Sequence, residues 1–75
     1  MEFEEFSRII ADVLGSDADT ITADSKFIDD LGADSLDLFQ IVTDVEDALD
    51  IQIPEEMLEQ IVTVEDALNA INENI

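Results

Sequence analysis

Three groupings of side chains in this sequence could do chemistry. Neighbouring carboxylates, at Asp29-Asp30, Asp34 with Asp37, and Glu55-Glu56, have the types needed for paired acid and base work. Asp17-x-Asp19 begins like a calcium loop, and Ser35 directly follows Gly32-Ala33-Asp34, at what reads as the start of a helix. Twenty-one acids among 75 residues make adjacent pairs unavoidable. Nothing in the pattern predicts a deep pocket to desolvate one of them, so no pair reads as catalytic. The Asp17 run lacks the glycine and terminal glutamate that a calcium loop needs at set spacings, which leaves only weak, diffuse cation binding. Ser35 has no histidine to activate it and cannot be a triad nucleophile. Two readings of it stand: a cap or solvated hydroxyl, or an attachment point where the amides and positive end of a helix stabilise a phosphate ester.

Composition narrows the field further. Two basic residues against twenty-one acids give a formal charge of −19. Such a surface repels phosphate backbones and anionic lipid, which excludes nucleic acid and membrane insertion and favours basic proteins as partners. The absence of cysteine and histidine removes thiol and imidazole catalysis, the usual zinc sites and disulfides. Leu, Ile, Val and Phe nevertheless supply 26 of the 75 residues, well above what disordered chains hold, so the chain folds. Its length suits a single domain, residues 1–75, and packed helices are the expected route to stability without staples. Neither a secretory start nor a membrane-length apolar run is present, so the expectation is a cytoplasmic monomer.

The candidate residues must be positioned by helices. Phe3, Phe6, Ile9, Ile10, Val13 and Leu14 recur at steps of three and four, predicting an amphipathic helix over residues 2–14 that Gly15 closes. Residues 16–34 lose periodicity but keep Ile21, Phe27, Ile28 and Leu31, which predicts a long anchored loop, with room for one helical turn between Phe27 and Leu31. Asp34 and Asp37 form a capping-box pattern opening a second helix that runs to about Leu49. Ile51-Gln52-Ile53 is extended before Pro54, which suits the first position of a short helix through about Gln60. Met57, Leu58 and Ile61 are available for burial there. Thr63-x-x-Asp66 caps a last helix with Val64, Ala67, Leu68 and Ile71 inward. The fold class is all-α, a small antiparallel bundle of three principal helices and one short one.

On the second helix, Leu38, Ile41, Val42, Val45, Ala48 and Leu49 gather on one side as a core stripe. Leu36 and Phe39 fall outside it, on a face shared with Gln40, Thr43, Asp44, Asp47 and Asp50. That face is either an ordinary solvated surface with two exposed apolar residues, or a docking surface whose carboxylates steer a basic partner onto Leu36 and Phe39.

Leu31-Gly32-Ala33-Asp34-Ser35-Leu36-Asp37 resembles the signature of acyl carrier proteins, in which the serine of an Asp-Ser-Leu motif receives a 4′-phosphopantetheine arm from coenzyme A. The resemblance covers essentially the whole chain. It includes the acidity, an amphipathic helix before a long loop, Phe27 ahead of the motif, Ile53-Pro54-Glu55 after the second helix, and Thr63-Val64 opening the last. It implies that Ser35 bears the arm through a phosphodiester, that the arm's thiol holds acyl groups as thioesters, and that the chain is a carrier and not an enzyme. Asp34, Leu36 and Asp37 match the positions at which a phosphopantetheinyl transferase recognises the serine. Phe39, Gln40, Thr43, Asp44, Glu46 and Asp47 inherit the role of docking on basic patches of successive enzymes. Gln40 stands where fatty-acid carriers commonly have an acid, and Thr43 where a larger apolar side chain is frequent, which bears on individual partner contacts. The family also withdraws acyl chains between its helices. Phe27, Ile28, Leu31, Ile41, Val45, Ile53, Leu58, Ile61 and Ala67 are the matching inward positions, each of which also reads as plain core.

The resemblance implies a free-standing carrier of fatty-acid synthesis. A carrier of polyketide or amino-acyl groups shares the same fold, and an unmodified acidic adaptor for basic helices is the alternative from another class. Whichever holds, the carboxylates have almost no cations to pair with, and they repel one another more in the compact state than in the unfolded chain. Thermal melts should therefore show the midpoint rising as pH is lowered from neutral into the mildly acid range. A midpoint that falls over that interval contradicts the expectation.

Overall fold

The computed structural model describes residues 1–75 and is all-helical. Helix α1 spans Phe3–Leu14, α2 Ser35–Leu49, α3 Glu55–Leu58 and α4 Val64–Glu73, with a single 3₁₀ turn over Ala18–Thr20 in the long loop. No helix is long and apolar enough to cross a membrane. Gly15 ends α1 as expected, at φ 67°, where a side chain would be strained but glycine is not. Its N–H donates to the Ala11 carbonyl.

The inward face of α1 differs from the expected stripe. Phe6 and Ile10 are fully buried, but the residues buried beside them are Ser7 and Ala11, while Phe3, Ile9, Val13 and Leu14 flank the core half-buried. Small side chains let the neighbouring elements approach closely, and Ser7 tolerates burial because its hydroxyl donates to the Glu4 carbonyl at 2.9 Å. On α2 the buried residues are Ile41, Val42 and Val45. Leu38 and Leu49 are half-buried, and Ala48, expected in the stripe, is exposed. Val64, Ala67, Ala70 and Ile71 bury the inner face of α4, with Leu68 half-buried at its edge.

Helix α3 is shorter than the sequence suggests. Pro54 is its N-cap, extended at ψ 142°, and the regular helix stops at Leu58 instead of Gln60. Beyond it the chain tightens into three-residue turns, with Gln60 N–H donating to Met57 O and Ile61 N–H to Leu58 O, both at 3.2 Å. In the loop, the expected turn after Phe27 is present: the N–H groups of Asp30 and Leu31 both donate to the Lys26 carbonyl, at 2.9 and 3.0 Å. The 3₁₀ turn at Ala18–Thr20 has no counterpart in the sequence reading.

Backbone bonds tie this loop to the entrance of α4. Phe27 N–H donates to Val62 O at 3.1 Å, Val64 N–H to Ser25 O at 2.9 Å and Glu65 N–H to Ala23 O at 3.0 Å. Lys26 and Thr63 thereby form an isolated antiparallel bridge. The capping box expected at α4 lies directly beside it: Asp66 N–H donates to Thr63 Oγ1 at 3.1 Å, and one Asp66 carboxylate oxygen accepts from both Thr63 N–H, at 3.1 Å, and Val62 N–H, at 3.2 Å. Those backbone amides, Thr63 first and Val62 second, hold the Asp66 carboxyl below the ordinary carboxylate value against a smaller opposing effect of desolvation.

Two outcomes follow from this junction. Thr63→Ala should cost about 1 kcal/mol of stability in urea unfolding, the usual loss for such a cap. Because its folded pKa is depressed, Asp66 stabilises the fold fully above about pH 4, the ordinary carboxylate range, and the contribution disappears as pH falls through the lower folded value. The wild type should therefore lose stability at the acid extreme more steeply than Asp66→Asn, which keeps an acceptor oxygen without the titration. Parallel acid limbs for the two proteins would contradict this role.

Candidate functional site

Ser35 is the first residue of α2 and is exposed. Local sequence fixes its position. Asp34 takes the extended N-cap conformation, and its carboxylate accepts from Asp37 N–H at 2.9 Å. Asp37 returns the bond, accepting from Asp34 N–H at 3.3 Å, so the capping box foreseen at these two residues is complete. Just upstream, Gly32 holds φ 69°, a conformation that reverses the chain between the Lys26–Leu31 turn and α2.

Two buried residues seat that reversal. Ala33 is buried and its N–H donates to the Phe27 carbonyl at 2.8 Å. Phe27 itself is 1% exposed, and burying such a ring is worth roughly 1.5–3 kcal/mol. Ser35 thus projects from a turn that is capped on one side and anchored to the core and to the α4 entrance on the other. Its own hydroxyl takes no part in the capping bonds, which run between Asp34 and Asp37. A hydroxyl that is exposed, without a bonded base, and set at the positive end of a helix is suited to carry a phosphoester and not to attack a substrate unaided.

The residues expected on the docking face are placed as follows. Leu36 is 78% and Phe39 57% exposed, so both lie outside the core as the helical pattern indicates. Gln40 and Asp47 are exposed, and Thr43, Asp44 and Glu46 are half-buried. Gln40 Nε2 donates to Asp44 Oδ1 at 2.8 Å, and Thr43 Oγ1 donates to the Phe39 carbonyl at 2.9 Å. Asp34 and Asp37 have a structural task in the cap besides any recognition.

The candidate pocket residues do not converge on one cavity. Ile53 and Leu58 line a groove of about 450 Å³ that Phe39, Val42, Glu46 and Pro54 also border. Phe27, Ile28 and Ile61 line a separate apolar notch of about 180 Å³ with Leu38 and Val62. Ile41, Val45 and Ala67 are buried and Leu31 half-buried, and none of the four borders either space. Ile28, read from sequence as inward, is 63% exposed, because it sits on the outer side of the Lys26–Leu31 turn whose Phe27 takes the buried position. Val62, 55% exposed at the rim of the notch, was not among the expected site residues, and nothing in its sequence context marks it.

The structure is thus a small helical bundle with an exposed serine at the start of its second long helix. Residues 4–71 match the family model for the phosphopantetheine attachment site. A Mycobacterium tuberculosis protein, Rv0033, assigned as an acyl carrier protein, is similar in structure at a TM-score of 0.88 and 38% identity, over 96% of this chain and 97% of that one. The chain belongs to the phosphopantetheine attachment family, with 4′-phosphopantetheine as its prosthetic group and acyl carriage as its role.

The site geometry separates its two neighbouring side chains by a measurable cost. Asp34→Ala removes half of the capping box and should lower stability by about 1 kcal/mol. Ser35→Ala removes a hydroxyl outside the capping bonds and should change it by less than about 0.5 kcal/mol. Urea unfolding of the two variants decides; an equal loss in both would show that Ser35 is a structural cap.

Proposed function

We propose that Ser35 is the attachment serine and that the chain works in the cytoplasm as a free-standing carrier of fatty-acid synthesis, delivering acyl groups to separate enzymes. The observation that carries this reading is the Ser35 hydroxyl, exposed and outside the capping bonds on a turn whose backbone is otherwise held. The prosthetic group supplies the thiol that a cysteine-free chain lacks, and acyl groups ride on it as thioesters.

This chain's residues do the rest. Ser35 Oγ forms the ester bond to a phosphorus of coenzyme A as the bond to the adenosine-bearing phosphate breaks. The hydroxyl proton passes to the phosphopantetheinyl transferase, since the neighbouring Asp34 and Asp37 carboxylates are engaged with backbone amides and not with Ser35 Oγ. Asp34, through its cap with Asp37, sets the direction of Ser35, and the positive end of α2 would favour the negative charge of a diester bound there. Leu36 and Phe39 serve as apolar anchors, with Asp44, Glu46 and Asp47 as the charges that steer basic enzyme patches toward them. The overall acidity supports the fatty-acid pathway among the carrier roles.

Incubation with coenzyme A and a broad-specificity phosphopantetheinyl transferase, followed by intact-mass measurement, tests the reading. One adduct is expected on the wild type and none on Ser35→Ala. An unmodified wild type, or an equal adduct on the variant, would leave an acidic adaptor in place of a carrier.

A further inference from the structure

The groove between α2 and α3 combines three features. One wall is the exposed ring of Phe39, one turn along α2 from Ser35. Its floor is apolar, made by Val42, Ile53 and Leu58. Its rim carries Glu46 and Glu55. Glu46 is held in place, because its Oε2 accepts from the Ile53 N–H at 2.8 Å, and its second oxygen has no hydrogen-bond partner within the protein.

We infer that this groove receives an arginine side chain of a docking partner, its guanidinium stacked on Phe39 and hydrogen-bonded to the free oxygen of Glu46. The inference rests on the proposed docking role of α2 and specifies the chemistry of its partner. A purely apolar anchor fits the floor but would desolvate Glu46 with nothing to compensate. An anion is repelled. A lysine can satisfy the charge, but its compact, strongly hydrated ammonium gains less from a ring face than a planar guanidinium does. Arginine is the side chain whose chemistry matches all three features, an apolar stem for Val42, Ile53 and Leu58 and a planar cationic head for the ring and the carboxylate that line the same groove. Phe39 is then a residue that selects among basic partners, beyond serving as an apolar contact.

The probes are two amphipathic helical peptides of equal length and charge, one with arginines and the other with lysines at the same positions. Binding is followed by NMR on isotopically labelled protein, at the Phe39 ring and the methyls of Val42, Ile53 and Leu58. The arginine peptide should bind about threefold or more tighter to the wild type. Phe39→Leu should abolish that preference, so that the two peptides bind the variant with equal affinity. Glu46→Gln keeps an acceptor for the Ile53 amide and should weaken both peptides. Equal affinities for the wild type, or a preference that survives Phe39→Leu, would overturn the arginine groove and leave the docking reading standing. Failure of both peptides to shift the α2 signals would overturn the two together. Unchanged amide spectra of the free variants verify that each is folded.

Discussion

Where carboxylates in this protein have partners, those partners are mostly backbone amides and not cations. With a charge of −19 and two basic side chains, the fold has a single ion pair, Arg8 with Glu4, and that pair is largely exposed. Exposed pairs of this kind contribute little. What the acids do instead is accept from N–H groups where the chain turns: Asp30 from Lys26, Asp34 and Asp37 from each other, Glu46 from Ile53, and Asp66 from Val62 and Thr63. These bonds close turns and helix starts or, at Glu46, tie α2 to the segment before α3. The bonds at Asp34 and Asp37 define the direction in which Ser35 leaves the helix. Those of Asp66 hold the α4 entrance against which the loop is bridged, and that of Glu46 fixes the segment entering α3.

This arrangement separates rigidity from charge. The turn bearing Ser35 is determined by bonds among backbone, caps and a buried phenylalanine, so its geometry does not rely on the acids of the α2 face. Asp47 and one oxygen of Glu46 are consequently left without partners in the protein, available to whatever approaches. In the proposed docking role these are the oxygens free to steer a basic partner toward the exposed Leu36 and Phe39.

Much of this was legible in the sequence where the signal is local. Asp34 with Asp37, Thr63 with Asp66, and Gly15 at the end of α1 are short-range patterns whose hydrogen bonds form within a few residues, and all three stand as expected. The exposure of Leu36 and Phe39 followed from the angular separation of α2's residues alone. What could not be read was set by distant neighbours. Ser7 and Ala11 are buried because of what packs across from them, and the extended segment entering α3 is tethered by Glu46 of α2. Ile28 lies in an aperiodic loop, where hydrophobicity cannot say which side faces out, and the Lys26–Thr63 bridge joins segments far apart in the chain.

In the proposed role, a capped and anchored turn presents Ser35 as the point of attachment. Fragment-ion mass spectrometry of the protein purified from its native cells tests it most directly, since it locates the modified residue and weighs the attached acyl species in one measurement. The expected result is a 4′-phosphopantetheine phosphodiester confined to Ser35, with acyl groups on its thiol. A protein whose Ser35 is unmodified in cells, or whose prosthetic group maps to another hydroxyl, would contradict it.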